Sequence, residues 1–168
     1  LMNAHLPDAT TPVMAGGRVA VVGGGNVAMD AARCAKRMGA EEVYIVYRRS
    51  MQELPARQEE VEHAQEEGIL FKTLTNPVRI LGNDQGWVTG VECVEMELGA
   101  PDDSGRRRPV VKEGSEFTLP MDTVIIAIGT SPNPLIRNTT PGLDTNKAGC
   151  FITNGSDGLT SREGVFAG

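Results

Sequence analysis

The chain has 168 residues and carries 22 Asp and Glu against 16 Lys and Arg, a formal charge of −6. That length suits one domain, or one plus a short extension, and is enough to bury a real core. The acidic balance argues against nucleic-acid binding, and no apolar run approaches the roughly 18 residues of a membrane span. Residues 1–17, with Pro7, Pro12 and Gly16-Gly17, read as an irregular linker entering the domain. They lack the charged and apolar segments of a signal peptide, so the expected location is the cytoplasm.

Residues 18–23 form an apolar run that stops at Gly23-Gly24-Gly25, and a helical pattern follows at once over 26–38. Val27, Ala31, Cys34, Ala35 and Met38 are its expected buried face, with Gly39 as the stop. Glu42–Tyr47 reads as a second strand. Residues 53–67 read as a second helix with Pro55 in its first turn, Gly68 after its end, and a solvated row of carboxylates (Glu59, Glu60, Glu62, Glu66, Glu67). Ile69–Leu74 is a third strand.

The period then changes to alternation over Val78–Leu81, Trp87–Leu98 and Glu116–Leu119, with a turn at 83–86. This predicts an antiparallel meander at about 77–120, inserted before the parallel sheet resumes. Gly99–Pro109 reads as a polar hairpin tip, and its Arg106-Arg107-Arg108 run is a candidate phosphate patch. Thr123–Ile128 is an apolar run without alternation, as expected of a strand covered on both faces, and Gly129 closes it. The fold class is therefore α/β: a Rossmann-like parallel sheet with helices and an inserted β-meander. Residues 18–135 form the main domain and 136–168 a following segment rich in Gly, Pro, Asn and Thr.

The strand–glycine–helix junction carries the chemistry. Gly23, Gly25 and Ala28 match the spacing G-x-G-x-x-A, with Gly24, Asn26 and Val27 between them. The first glycine permits the sharp turn, the second lets a pyrophosphate approach the backbone, and the small third residue lets helix pack on strand. The free N–H groups of the first helical turn and the helix dipole then make an anion site. The strand–helix–strand unit around the motif is the context that gives it meaning.

An NAD site places an acid at the end of the second strand to bond the ribose hydroxyls. Here that strand ends in Tyr47-Arg48-Arg49-Ser50. Two guanidiniums suit a 2′-phosphate instead, so NADP(H) is expected over NAD(H). Arg48 and Arg49 are the main candidates and Arg57 a third. Tyr47 either lies near the adenine or fills the strand edge, and the second role is favoured. Cys34, Cys93 and Cys150 are far apart, with no C-x-x-C, and the two histidines lie in unrelated settings. Neither a disulfide framework nor a metal site is expected, and each cysteine is expected to be buried or half-buried. No catalytic acid or base is assigned.

Val-Val-Gly-Gly-Gly-Asn-Val-Ala-Met-Asp (21–30), Val-Tyr-Arg-Arg (46–49), Leu-Pro-Ala-Arg (54–57), Glu-Glu-Gly-Ile (66–69) and Ala-Ile-Gly-Thr-Ser-Pro-Asn-Pro (127–134) occur in this order. With them the chain resembles the NADPH-binding domain of the glutamate synthase small subunit. It is also similar to the large subunit of NADH-dependent ferredoxin:NADP oxidoreductase and to part of dihydropyrimidine dehydrogenase. The resemblance implies the nested nucleotide-binding domain of a flavoprotein with two dinucleotide sites. NADP(H) would bind in this chain, while FAD and 4Fe-4S clusters would belong to the parent protein. Hydride would pass from NADPH to FAD and on to the iron–sulfur centres.

It further implies a FAD domain in the same polypeptide and a partner subunit as neighbours, and an isolated fragment that binds NADPH without oxidising it. By the same resemblance Ile128, Gly129 and Thr130 match the crossover near the nicotinamide, and Asp30 matches a family acid on the first helix or is a first-turn residue favoured by the helix dipole. Two alternatives stand beside this reading. A thioredoxin-reductase-like disulfide oxidoreductase would share the Arg pair but needs a C-x-x-C, and a non-enzymatic NADP(H)-binding module would need only the nucleotide site. A short-chain dehydrogenase needs Tyr-x-x-x-Lys, which neither Tyr44 nor Tyr47 provides.

Overall fold

The computed structural model describes residues 16–101 and 105–168. Most of the expected linker over 1–17, and Asp102 and Asp103 of the expected hairpin tip, lie outside them. The described residues divide into two compact units, one ending at Ile128 and the other running Gly129–Gly168.

The first unit is built on a parallel sheet of β1 (Arg18–Val22), β2 (Glu42–Val46), β3 (Leu70–Lys72) and β8 (Thr123–Ile126), in the spatial order β3-β2-β1-β8. Helices α1 (Asn26–Arg37) and α2 (Gln58–Glu66) join β1 to β2 and β2 to β3. Strands β4 (Thr75–Gly82), β5 (Val88–Pro101), β6 (Arg107–Val111) and β7 (Phe117–Leu119) form an antiparallel sheet inserted between β3 and β8. The order reverses at β1, between β2 and β8. In open α/β sheets ligands bind outside the carboxyl ends of the strands at such a point.

Why the parallel strands read as continuous apolar runs follows from what covers them. Val19, Val21, Val43 and Ile45 face a core with Ala28, Met29, Ala32, Ala35, Val61 and Ala64 of the helices. The alternate residues Ala20 and Val46 face a second core with Val91 and Cys93 of β5 and Met121. Helices cover one face of the sheet and the meander the other. Each large side chain fully buried this way contributes roughly 1.5–3 kcal/mol.

Several local expectations are corrected. The buried stripe of α1 is Ala28, Met29, Ala32 and Ala35, while Val27 is 70% exposed. The helix is rotated because Ala28 packs against the strand, a constraint that periodicity alone does not carry. Asp30 is exposed and lies beyond the first turn of α1, which holds no acid. The second helix starts at Gln58, and Met51–Glu53 is a separate 3-10 turn capped by Ser50. Glu60 and Glu67 are not simply solvated: Arg33 reaches them at 3.0 and 2.8 Å, and Arg37 reaches Glu67 at 2.5 Å, tying α2 to α1.

Within the polar segment expected to be a loop lies β6, which pairs antiparallel with β5. Pro109 is tolerated there because β6 is an edge strand. The coverage expected of the last parallel strand is partial, since Val124 and Ile125 pack inward while Ile126 is 57% exposed. Of the cysteines, Cys93 is buried, Cys34 half-buried and Cys150 exposed, against the expectation for the last.

The second unit holds α3 (Pro134–Thr139), capped by the Asn133 side chain on Leu135 N, and a two-stranded ribbon of β9 (Thr153–Asn154) and β10 (Leu159–Thr160). The sequence pattern carries the main domain to residue 135, whereas the first compact unit ends at Ile128.

Candidate dinucleotide site

At the carboxyl end of β1 the three glycines have three different environments. Gly23 has φ +145°, and a Cβ there would lie 2.3 Å from the Ala127 carbonyl oxygen, which belongs to the chain leaving β8. Its N–H donates to Val46 O at 3.1 Å, so this residue locks β1 between its neighbours. A Cβ on Gly24 would meet the Tyr47 ring at 2.7 Å and Leu54 at 2.8 Å. Gly24 O also accepts from Ala56 N at 3.1 Å, so the loop is backed by the Leu-Pro-Ala-Arg segment. Gly25 differs: nothing lies within 4 Å of the Cβ position.

Gly25 is the N-cap of α1, with φ −89° and ψ 176°, and no side chain caps the helix. Its carbonyl accepts from Ala28 N and Met29 N. The N–H groups of Asn26 and Val27 precede these bonds, and the space at the Gly25 Cβ position beside them is open, as an anion site requires. The absence of an acid in this turn leaves the dipole uncompensated. Ala28 is fully buried. Asn26 is exposed, and its side-chain Oδ1 accepts from Arg57 N at 2.9 Å. That bond seats Arg57, the N-cap of α2, against the glycine loop.

The two arginines after β2 part company. Arg48 is exposed. Arg49 is 7% exposed, its Nε donates to Arg107 O at 2.8 Å, and its carbonyl accepts from Leu74 N at 3.0 Å. Both the entry to the meander and the start of β6 thus grip this turn. Leu74 adopts φ +49° at that junction. Tyr47 fills the strand edge: it is 8% exposed and its hydroxyl donates to Glu53 O at 2.8 Å.

Glu53 is the first acid after the end of β2 in sequence, and it is engaged. It is 8% exposed. One carboxylate oxygen accepts from Ser50 N at 3.1 Å and from the Ser50 hydroxyl. The other accepts from Arg107 Nε at 2.9 Å. The Ser50 hydrogen bond, joined by Arg107, holds this carboxyl below its ordinary range against the opposing effect of burial. Sequence reasoning missed the Ser50–Glu53–Arg107 group, although Ser-x-x-Glu at 50–53 is a capping-box pattern. Arg107 stands in the arginine run read as a candidate phosphate patch, but its pairing with Glu53 has no local signal, because a hairpin 54 residues away in sequence delivers it.

Ile128, 73% exposed, ends the first unit, and Gly129 (φ +93°) and Thr130 open the second, both exposed.

Comparison with known proteins agrees with this architecture. The family profile of pyridine nucleotide-disulphide oxidoreductases matches residues 3–168. The chain belongs to that family. It is 46% identical to the NADP(+)-dependent formate dehydrogenase subunit beta of Moorella thermoacetica, over 94% of this chain and 22% of that protein. It is 40% identical to the glutamate synthase [NADPH] small chain of Escherichia coli K12, over 92% of this chain and 34% of that one. The resemblance drawn from the motifs therefore stands. The chain spans only about a fifth to a third of the length of these relatives.

Among solved structures, the thioredoxin reductase of T. acidophilum superposes with a TM-score of 0.68 at 22% identity, covering 89% of this chain and 42% of that one. At that identity the likeness establishes the Rossmann-type α/β fold. Among the described residues, no helix is long and apolar enough to cross a membrane.

Proposed function

We propose that this chain binds NADP(H) and serves as the nicotinamide-nucleotide domain of an FAD-dependent oxidoreductase of the glutamate synthase small-chain type. The observation that carries the reading is the empty space at the Gly25 Cβ position, set against an uncapped helix N-terminus at the switch point of the sheet. Gly23 and Gly24 are crowded by protein, whereas Gly25 is open to a ligand. The donor set there is backbone N–H, suited to a pyrophosphate.

Within this reading the residues divide the work. Gly25, Asn26 and Val27 present main-chain N–H groups to the pyrophosphate, and Asn26 also anchors the turn that carries Arg57. Arg48 supplies an exposed guanidinium for the 2′-phosphate, and Arg49 a buried one. Glu53, the acid that could have served both ribose hydroxyls of NAD, is occupied by Ser50 and Arg107. Ile128, Gly129 and Thr130 would flank the nicotinamide. The bound cofactor supplies a hydride, and the protein's task is to hold and orient it. No side chain of this chain is assigned a proton transfer.

In a larger enzyme, FAD held by a further domain of the same polypeptide would be the hydride acceptor, and 4Fe-4S centres with a partner subunit would supply the onward electron path. The names of the relatives support the nucleotide and the partner subunit, since they are subunits or small chains of NADPH- or NADP-dependent redox enzymes. The absence of any C-x-x-C in the chain removes support from a disulfide-reductase role.

The test is calorimetric titration of the chain with NADPH and with NADH at low salt. Binding of NADPH with a clear preference over NADH is expected. Loss of that preference is expected in Arg48→Ala/Arg49→Ala, since each charge-assisted bond is worth roughly 1.5–3 kcal/mol. Equal affinity of the unaltered chain for both nucleotides overturns the 2′-phosphate assignment. Failure to bind either overturns the dinucleotide site.

A further inference from the structure

The meander meets the turn after β2 at its entry, where Leu74 N and Thr75 N donate to Arg49 O and Tyr47 O, and again at the start of β6. There the Arg107 carbonyl accepts from buried Arg49, and the Arg107 side chain donates to buried Glu53. The two contacts have different consequences. The carbonyl fixes the orientation of Arg49 and is independent of side-chain identity. The guanidinium neutralises a carboxylate that lies four and five residues after Arg49 and Arg48. Ser50 also bonds this carboxylate, but Ser50 carries no charge and leaves its negative charge in place. Among the described residues Arg107 is the one cation paired with Glu53.

We propose that Arg107 of the inserted meander is a specificity-determining residue of the dinucleotide site: it cancels the charge of Glu53, and so makes the turn after β2 receptive to a 2′-phosphate rather than to a bare ribose. This rests on the NADP(H) reading above and deepens it. An uncompensated carboxylate on the turn that carries Arg48 and Arg49, held by the same residue that fixes Arg49, would repel a 2′-phosphate bound there. It would also free oxygens able to accept from ribose hydroxyls, the device that selects NAD. The insertion is thereby more than a cover for the second face of the sheet: it carries one half of the nucleotide preference. The short sequence Arg48-Arg49 is necessary for that preference and insufficient without the distant Arg107.

The test compares NADP+ and NAD+ affinities by calorimetry for the unaltered chain, R107A, R107K, E53Q and R107A/E53Q, with thermal melts of each. In R107A the NADP+ dissociation constant should rise about tenfold, the effect of one uncompensated charge several ångströms from another near a protein surface. Its NAD+ affinity should hold or improve, because the Arg107 carbonyl and the glycine loop remain. R107K should retain the preference, and R107A/E53Q should recover it, because the charge is then gone from both sides.

A purely structural role would weaken both nucleotides together and would not be rescued by removing a second buried group. Equal loss for both nucleotides, or an unchanged ratio, in R107A overturns the inference. If R107A does not fold, E53Q and R107K decide it: each should keep the preference, and its loss in either overturns the inference. If Arg48→Ala/Arg49→Ala abolishes the preference while R107A does not, the NADP(H) reading stands and this inference alone falls. If the unaltered chain binds neither nucleotide, both fall.

Discussion

Gly23→Ala and Gly25→Ala sit two residues apart in one loop and should fail in opposite ways. At Gly23 a methyl group would lie 2.3 Å from the Ala127 oxygen and 2.8 Å from its carbonyl carbon, both main-chain atoms at the end of β8. Neither can swing aside as a side chain would, and φ +145° is itself a strained value for alanine. Overpacking and backbone strain each cost of order 1–3 kcal/mol, so a loss of about 2–6 kcal/mol is expected. For a chain of this size that is a drop in Tm of roughly 4–24 °C.

At Gly25 the methyl group meets nothing within 4 Å, and the backbone angles are ordinary for alanine. Alanine is a slightly poorer N-cap than glycine, but it orders the unfolded chain less unfavourably, so stability should change by less than about 1 kcal/mol. The same methyl would occupy the approach of the pyrophosphate. Loss of even one charge-assisted contact there should weaken NADPH and NADH alike by about tenfold or more. Thermal melts paired with calorimetry separate the two effects. Gly25→Ala that binds NADPH within about twofold of the unaltered chain would refute the assignment of the pyrophosphate to this helix end. Gly23→Ala with an unchanged Tm would refute the steric argument.

Two further outcomes follow from the ionisable groups. Glu67 is held at a pKa of about 2, first by the Arg37 hydrogen bond and then by that of Arg33, against 4.5 for a free glutamate. The folded chain thus binds this proton less readily than the unfolded chain. The stabilisation is full above pH 4.5 and drains as the pH falls from 4.5 toward 2. Denaturant midpoints should therefore fall over that window, and Glu67→Gln should shallow the fall; an identical acid limb in the variant would refute the ion-pair assignment. Burial pushes the Cys93 thiol up to about 11, so it should resist alkylation at pH 8 while exposed Cys150 reacts. Peptide mass mapping after brief iodoacetamide treatment would count against this packing if Cys93 were labelled as fast as Cys150.

The elements legible in the sequence are those whose cause is local. The β1–glycine–α1 junction, the second strand and the switch from continuous apolar runs to alternation after β3 each depend on neighbouring residues in the chain. Elements misplaced or missed depend on distant partners. Strand β6 exists because β5 offers it an edge to pair with, and Arg107-Arg108-Pro109 has no strand signal of its own. Val27 looked buried by period and is exposed, because Ala28 takes the close approach to the strand.

Sequence by itself determined that the chain holds a strand–turn–helix built to expose backbone N–H groups, followed by two arginines where an acid would select NAD. Tertiary structure alone decided that Gly23 and Gly24 are crowded while Gly25 is open, that Arg49 is buried while Arg48 is not, and that Glu53 is cancelled by a residue 54 positions away. The division has a physical origin. Turn geometry and period are properties of a few consecutive residues, whereas charge neutralisation and steric closure arise only when the fold brings remote segments within a few ångströms.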